Sequence, residues 1–262
     1  FEPHPLSVVA PERCPSLMTT LEEKLARLEE CGVDAAVVQP FTRELAETAA
    51  EEFIRRIVRE GARAEAVAVG YNFRFGKGRA GDVNLLREAG ARWGFEVRII
   101  EPQFFGGERV SSSDIRRRLG EGMVEEAAKL LGRCHLLEGE VVRGEGRGRQ
   151  IGIPTANLDF PPILVPAKGV YACWAQLDGR DGRRLPAVTN IGDRPTFGGN
   201  GMTVEAHLLE GGGDLYGRKL RVEFVSRLRE ERKFPSPEAL LAQIRADVDE
   251  GRRRLKPESN PG

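Results

Sequence analysis

The residues with the clearest chemical potential lie between positions 144 and 207. Gly152-Ile153-Pro154-Thr155-Ala156-Asn157-Leu158 sets a hydroxyl and an amide two residues apart, just after a proline. Pro154 fixes its own φ and drives Ile153 toward an extended conformation. In an extended segment Thr155 and Asn157 offer oxygens on one side. Such hard donors suit Mg²⁺ bridging nucleotide phosphates, whereas an Asx or ST turn would use the same residues to cap nearby backbone. Upstream, Gly144-Glu145-Gly146-Arg147-Gly148-Arg149 follows a strand pattern. Glycines let backbone N–H groups approach phosphates closely, which makes Gly146, Gly148 and Arg149 candidate phosphate contacts. The spacing is neither a Walker A motif nor a dinucleotide fingerprint, and a flexible turn is the competing reading. Downstream, strand alternation in Thr203-Val204-Glu205-Ala206-His207-Leu208 puts Thr203, Glu205 and His207 on one face, opposite Val204 and Leu208. Facing a nucleotide cleft, Glu205 can accept a proton from an attacking hydroxyl; facing bulk water it is a solvated strand carboxylate. His207 reads as structural. Together these parts suit phosphoryl transfer to a hydroxyl.

Two kinds of element must position them. In the first half, strand and helix patterns alternate. Thr20-Leu21-Glu22-Glu23 is a capping box opening a helix to about Cys31, followed by a short apolar strand, Val33–Val38. An amphipathic helix spans Leu45–Glu60, then a strand Ala64–Gly70, a helix Asp82–Trp93 and a strand Phe95–Ile100. This alternation implies a parallel sheet covered by helices, with ligands at the carboxyl ends of the strands. Two short helices follow, Ser111–Leu119 and Val124–Leu131. After Gly132 the segments become short, alternating and separated by Gly and Pro: 138–143, 169–177, 185–190, 202–209 and 220–228. They predict an antiparallel barrel, closed off by a helix from Pro237 to about Arg254. The expected fold is therefore α/β followed by β, with the boundary near Gly132.

Two first-half motifs could bind anions. Gly70-Tyr71-Asn72-Phe73-Arg74-Phe75-Gly76 follows a strand, where a binding loop belongs; a simple loop anchor is equally compatible. Arg109-Val110-Ser111-Ser112-Ser113-Asp114-Ile115-Arg116 leads into a helix, whose free N–H groups and hydroxyls form an anion site. An ordinary serine N-cap is the alternative.

The composition sets limits. At 262 residues the chain has room for two domains, and 40% hydrophobic residues suffice for packed cores. Forty basic and forty acidic residues balance, which argues against nucleic acid or an anionic membrane as partner. Cys14, Cys31, Cys134 and Cys173 form no C-x-x-C pair, and scattered single cysteines fit a reducing cytoplasm. No apolar run approaches the roughly 20 residues that span a bilayer.

The motifs of the second half resemble the riboflavin kinase module of the bacterial bifunctional riboflavin kinase/FAD synthetases. That family carries G-x-P-T-A-N, N-I-G-x-R-P-T-F, a strand glutamate and a late L-Y-G…L-R-x-E-x-K-F stretch. Here these are Gly152–Asn157, Asn190–Phe197, Glu205, Leu215-Tyr216-Gly217 and Leu228–Phe234. The resemblance implies that Thr155 and Asn157 hold Mg²⁺ and ATP phosphates. It makes Glu205 the base acting on the ribityl 5′-hydroxyl, and has Arg229 and the final helix close over the flavin.

Val110–Arg116 is similar to the second motif of the family's nucleotidyltransferase domain, I-S-S-T-x-x-R, with Ser113 in place of Thr. By the same resemblance Asn72, Arg109, Ser112, Ser113 and Arg116 contact ATP or FMN phosphates. The implied domains are an adenylyltransferase over 1–132 and a riboflavin kinase over 133–257, with a polar tail over 258–262. The implied activity is riboflavin to FMN to FAD, with ATP as co-substrate and Mg²⁺ as cofactor. The family's H-x-G-H motif precedes a segment like Phe1-Glu2-Pro3-His4-Pro5 and is absent from these residues. The chain is therefore expected to lack the first strand and to keep kinase chemistry with impaired adenylyl transfer. Competing readings are a kinase alone and a non-catalytic flavin- or nucleotide-binding module. Nothing in the sequence fixes the assembly state.

Overall fold

The computed structural model describes residues 1–144, 148, 152–180, 182–193, 202–211 and 213–256. Gly146, Arg149 and the Arg194–Phe197 part of the second motif lie outside the described residues. The chain divides into two compact units, one of residues 1–15 and 21–109, the other of 16–20 and 110–262.

In the first unit, strands β1 (Ala66–Gly70) and β2 (Glu96–Ile100) pair in parallel, Ala66 opposite Glu96 through Gly70 opposite Ile100, and β3 (Phe104–Phe105) and β4 (Glu108–Arg109) form a short antiparallel pair. The helix between them, Val83–Trp93, starts where Asp82 accepts from the backbone N–H groups of Asn84 and Leu85, both at 3.0 Å. That cap satisfies two donors left unpaired by the first turn. Its buried face, Leu86, Ala89 and Gly90, forms a core with Ile54, Phe75 and Phe95.

Two expectations fail in this unit. Residues 33–38 form no strand: Val33, Val37 and Val38 are exposed, and the nearby pairing is the single bridge Glu2–Pro40. An apolar run becomes a strand only beside a hydrogen-bonding neighbour, and the described residues supply none there. The helix expected over Leu45–Glu60 is broken into Arg43–Ala46, capped by Thr42, and Ala50–Phe53. The second piece continues as a π-helix over Ile54–Gly61. Arg55 bonds Glu60, five residues on, at 2.6 Å, a span that wider winding brings into line.

In the second unit, β5 (His135–Val142), β6 (Ala156–Asp159), β7 (Gly169–Leu177), β8 (Arg184–Asp193), β9 (Met202–Leu208) and β10 (Lys219–Arg229) close an antiparallel barrel. Their order around it is β10-β5-β6-β9-β8-β7. Leu137, Val141, Ala156, Leu158, Ala187, Ile191, Val204 and Ala206 share its core. Helices Ser112–Gly120 and Val124–Leu131 pack onto the same core through Ile115, Leu119, Val124, Ala127 and Leu130. The compact units therefore divide at Arg109/Val110, ahead of the change in sequence pattern at Gly132.

The last helix, Pro237–Arg254, lies against β7, β8 and β10. Its buried Asp247 takes Arg229 Nε at 3.0 Å and Nη2 at 2.7 Å, and Gln243 Nε2 at 2.7 Å. Removing one partner of such a pair strands a desolvated charge. Asp247→Ala is expected to cost about 2–3 kcal/mol in urea denaturation, and Asp247→Asn less.

His135 is buried and stands 2.8 Å from the Leu164 carbonyl, to which Nε2–H donates. Burial penalises the imidazolium and moves its pKa from 6.5 down to about 4. The native state therefore excludes a proton that the unfolded chain binds. This stability is complete above pH 6.5, declines as pH falls toward 4 and amounts to about 3 kcal/mol. Denaturation at pH 7, 5.5 and 4.5 should show that decline in the wild type, and His135→Gln should flatten it.

Candidate active site

The barrel's pleat sorts the candidate residues. Ala156 and Leu158, Val204 and Ala206, and Ile191 are in the core. Residues of opposite parity, Asn157, Glu205 and Asn190, therefore share the outer face. The register sets them side by side: Asn157 is directly opposite Glu205, and Glu205 directly opposite Asn190. The row continues with Val170 opposite Asn190 and Arg229 opposite Val170. Directly opposed side chains are about 5 Å apart at their β-carbons.

Thr155 joins the group from the turn before β6. Its Oγ1 donates to Glu205 Oε2 at 3.3 Å. The turn is anchored from β9, where His207 Nδ1 lies 2.9 Å from the Pro154 carbonyl. A carbonyl only accepts, so Nδ1 carries the proton in that bond. Ile153 N–H donates to the Gly148 carbonyl at 2.8 Å, bringing the upstream loop back to the turn. Gly144 sits under the Asn157 amide so closely that a β-carbon there would lie 2.3 Å from Nδ2. The structure thus brings Thr155, Asn157, Glu205 and Gly148 together.

Two cavities adjoin this group. One of about 270 Å³ is lined by Pro154, Thr155, Leu208, Glu210, Asp214 and Tyr216, among others. The other, about 260 Å³, includes Val142, Arg143, Asn157, Asp159, Met202 and Thr203. Arg143 lies over the Tyr216 ring at 5.5 Å, linking their walls.

Among the described residues, no cluster of three or more His, Cys, Asp or Glu could hold a metal. The donors at hand are a hydroxyl, a carboxamide and one carboxylate. That set fits Mg²⁺, which takes one or two protein oxygens and completes its shell with substrate phosphate and water.

Arg229 ends the row, with its guanidinium engaged by Asp247 and 5.5 Å from the Phe234 ring centroid. It ties the last helix to β10.

Each remaining candidate lies within a single unit. Asn72 follows the carboxyl end of β1, and Arg109 Nη1 donates to the neighbouring Tyr71 hydroxyl at 3.0 Å. Both belong to the first unit, whereas Ser112, Ser113 and Arg116 belong to the second. Ser111 is the N-cap, accepting from Asp114 N–H at 3.2 Å, so Ser112 and Ser113 occupy the first two helical positions. Arg116 Nε donates to the Ser16 carbonyl at 2.8 Å.

Sequence reasoning passed over Asn190 as a site residue and gave His207 no specific partner. The signal for both is cross-strand register, which no single segment displays.

The family described as riboflavin kinase matches residues 131–255, and that described as FAD synthetase matches residues 1–114. The bifunctional riboflavin kinase/FMN adenylyltransferase of Escherichia coli K12 is 41% identical over 247 residues, 94% of this chain and 78% of that protein. Its counterpart in Pseudomonas fluorescens is 38% identical over 261 residues, covering 99% and 83%. A crystal structure titled macrolide-efflux protein, from Streptococcus pneumoniae, superposes with a TM-score of 0.81 at 29% identity, over 90% of this chain and 75% of that one. That title concerns the other protein; among the described residues here, no helix is long and apolar enough to cross a membrane. With both halves matched and close relatives covered over most of their length, the chain belongs to the bifunctional riboflavin kinase/FMN adenylyltransferases.

Proposed function

We propose that the outer face of the barrel is where this enzyme phosphorylates riboflavin, and that Glu205 is the base. The juxtaposition of Thr155, Asn157 and Glu205 on adjoining strands carries this reading. Riboflavin's terminal hydroxyl attacks the γ-phosphorus of ATP. The new O–P bond forms as the bond to the β,γ-bridging oxygen breaks, and ADP leaves. The hydroxyl proton passes to the Glu205 carboxylate. Thr155 and Asn157 orient the phosphates and would hold Mg²⁺, which when bound neutralises phosphate charge. Little covalent work remains for the protein, so positioning and charge dominate. The cavity beside Thr155 and Tyr216 suits the rest of the nucleotide, with Gly146, Gly148 and Arg149 on the phosphates. Arg229 and the last helix flank the flavin.

The second reaction, attack of FMN phosphate on the α-phosphorus of ATP with loss of pyrophosphate, we assign to residues 1–132. Asn72, Arg109, Ser112, Ser113 and Arg116 are its anion contacts, and residues 133–257 form the kinase domain. Four free cysteines support a reducing, cytoplasmic setting.

Glu205→Gln should lower FMN formation by about 10²–10⁴-fold. Riboflavin binding, followed by flavin fluorescence, and the conversion of supplied FMN should stay within about twofold. A kinase rate equal to wild type removes Glu205 from this role. Gly144→Ala should push the Asn157 amide off its seat and reduce FMN formation about tenfold while the melting temperature holds.

A further inference from the structure

We infer that Asn190 is a substrate-binding residue of the kinase site, its carboxamide holding the hydroxylated side chain of the flavin so that the terminal hydroxyl meets Glu205. The inference deepens the reading of Glu205 as base and rests on it. Glu205 has an asparagine directly opposite on each side, Asn157 on β6 and Asn190 on β8. The two are not equivalent. Asn157 lies on the same short segment as Thr155, beside the Gly144 backbone, on the side given to phosphates. In-line transfer places the attacking and leaving oxygens on opposite sides of the phosphorus. With the nucleotide on the β6 side, the alcohol must come to Glu205 from the β8 side, past Asn190.

The surroundings of Asn190 suit a polyol. A carboxamide both donates and accepts, as each hydroxyl of the chain does. Asn190 is half-buried. Two residues along, the Glu231 carboxylate is packed over Gly192: a β-carbon there would lie 2.7 Å from Glu231 Oε1 and 3.4 Å from Asn190 Nδ2. Glu231 and Asn190 thus both border the face of Gly192, where a larger residue would displace the carboxylate. Beyond Asn190 the row turns apolar at buried Val170 before reaching Arg229. The polar part of the row therefore ends at Asn190, because Val170 beyond it is covered.

The test compares wild type, Asn190→Ala and Asn190→Ser on riboflavin and on flavins that each lack one internal side-chain hydroxyl. With riboflavin, Asn190→Ala should lower kcat/KM about 10- to 100-fold, with KM for ATP within about twofold. For one of the deoxy flavins the gap between wild type and variant should close, because the partner of the amide is already gone. An Asn190→Ala penalty under threefold, or one equal for every flavin, overturns the proposal. If Asn190→Ala does not fold, the same comparison is read from Asn190→Ser. Glu205→Gln, measured in parallel, separates the two readings. Unchanged turnover there removes the base, while the dependence of the Asn190 penalty on one hydroxyl is judged by itself.

Discussion

Closure of the barrel in one register is the constraint on which the rest depends. Each strand alternates between the core and the outer face, so a slip of one residue would exchange the two faces. In β9 that slip would send Glu205 into a space filled by Val204 and Ala206, which are almost wholly buried. Burying an unpaired carboxylate costs far more than the slip could return. The apolar residues that hold the barrel closed therefore also aim Glu205 outward. Because β9 is paired on both sides, they also fix which residues stand beside it. A site built on the middle of paired strands inherits their rigidity, which suits a reaction catalysed mainly by placement.

The outer face is divided by the same logic. Between β7, β8 and β10 it is covered by the last helix, and Val170 and Val188 are buried although neither belongs to the inner core. Over β6 and β9 no helix of the described residues packs extensively, and the polar row lies there. Arg229 stands at the join. Its two donors to Asp247, Nε and Nη2, neutralise a carboxylate that the helix carries into a buried position. The arginine expected to close over the flavin is thus first a structural tie, and whatever it does for substrate is set by where that tie holds the helix.

Much of this was legible in the sequence, for identifiable reasons. The last helix and β7 have the bounds read from the sequence, since each is long and opens at a Pro or Gly, the helix behind its Ser236 cap. The shared face of Thr203, Glu205 and His207 follows from alternation alone. What periodicity cannot carry is pairing. Val33–Val38 has the composition of a buried strand yet is exposed, because composition does not say whether a neighbour is present. The amphipathic pattern over Leu45–Glu60 tolerates a break at 47–49 and a π-helical end, since both leave the apolar residues on roughly one side. Helices 112–131 precede the change from alternating to barrel pattern yet share the barrel's core, because packing partners need not share a pattern. Asn190 stayed hidden because its significance lies in standing opposite Glu205, a relation between segments fifteen residues apart.

The two sets of candidate residues differ in a way their reactions account for. Transfer to riboflavin uses a neutral alcohol, which must lose a proton as it attacks, so a carboxylate at the meeting point has work to do. Transfer to FMN uses a phosphate, whose second ionisation near pH 6 leaves it mostly dianionic at neutral pH. That nucleophile needs no base. It needs charge compensation and a fixed approach to a second anion. The first set accordingly holds Glu205 between two amides. The second consists of Asn72, Arg109, Ser112, Ser113 and Arg116, amide, hydroxyl and guanidinium groups without a proton acceptor of carboxylate strength. The phosphate added by the first transfer ionises on its own at neutral pH, so residues that meet it can dispense with a base.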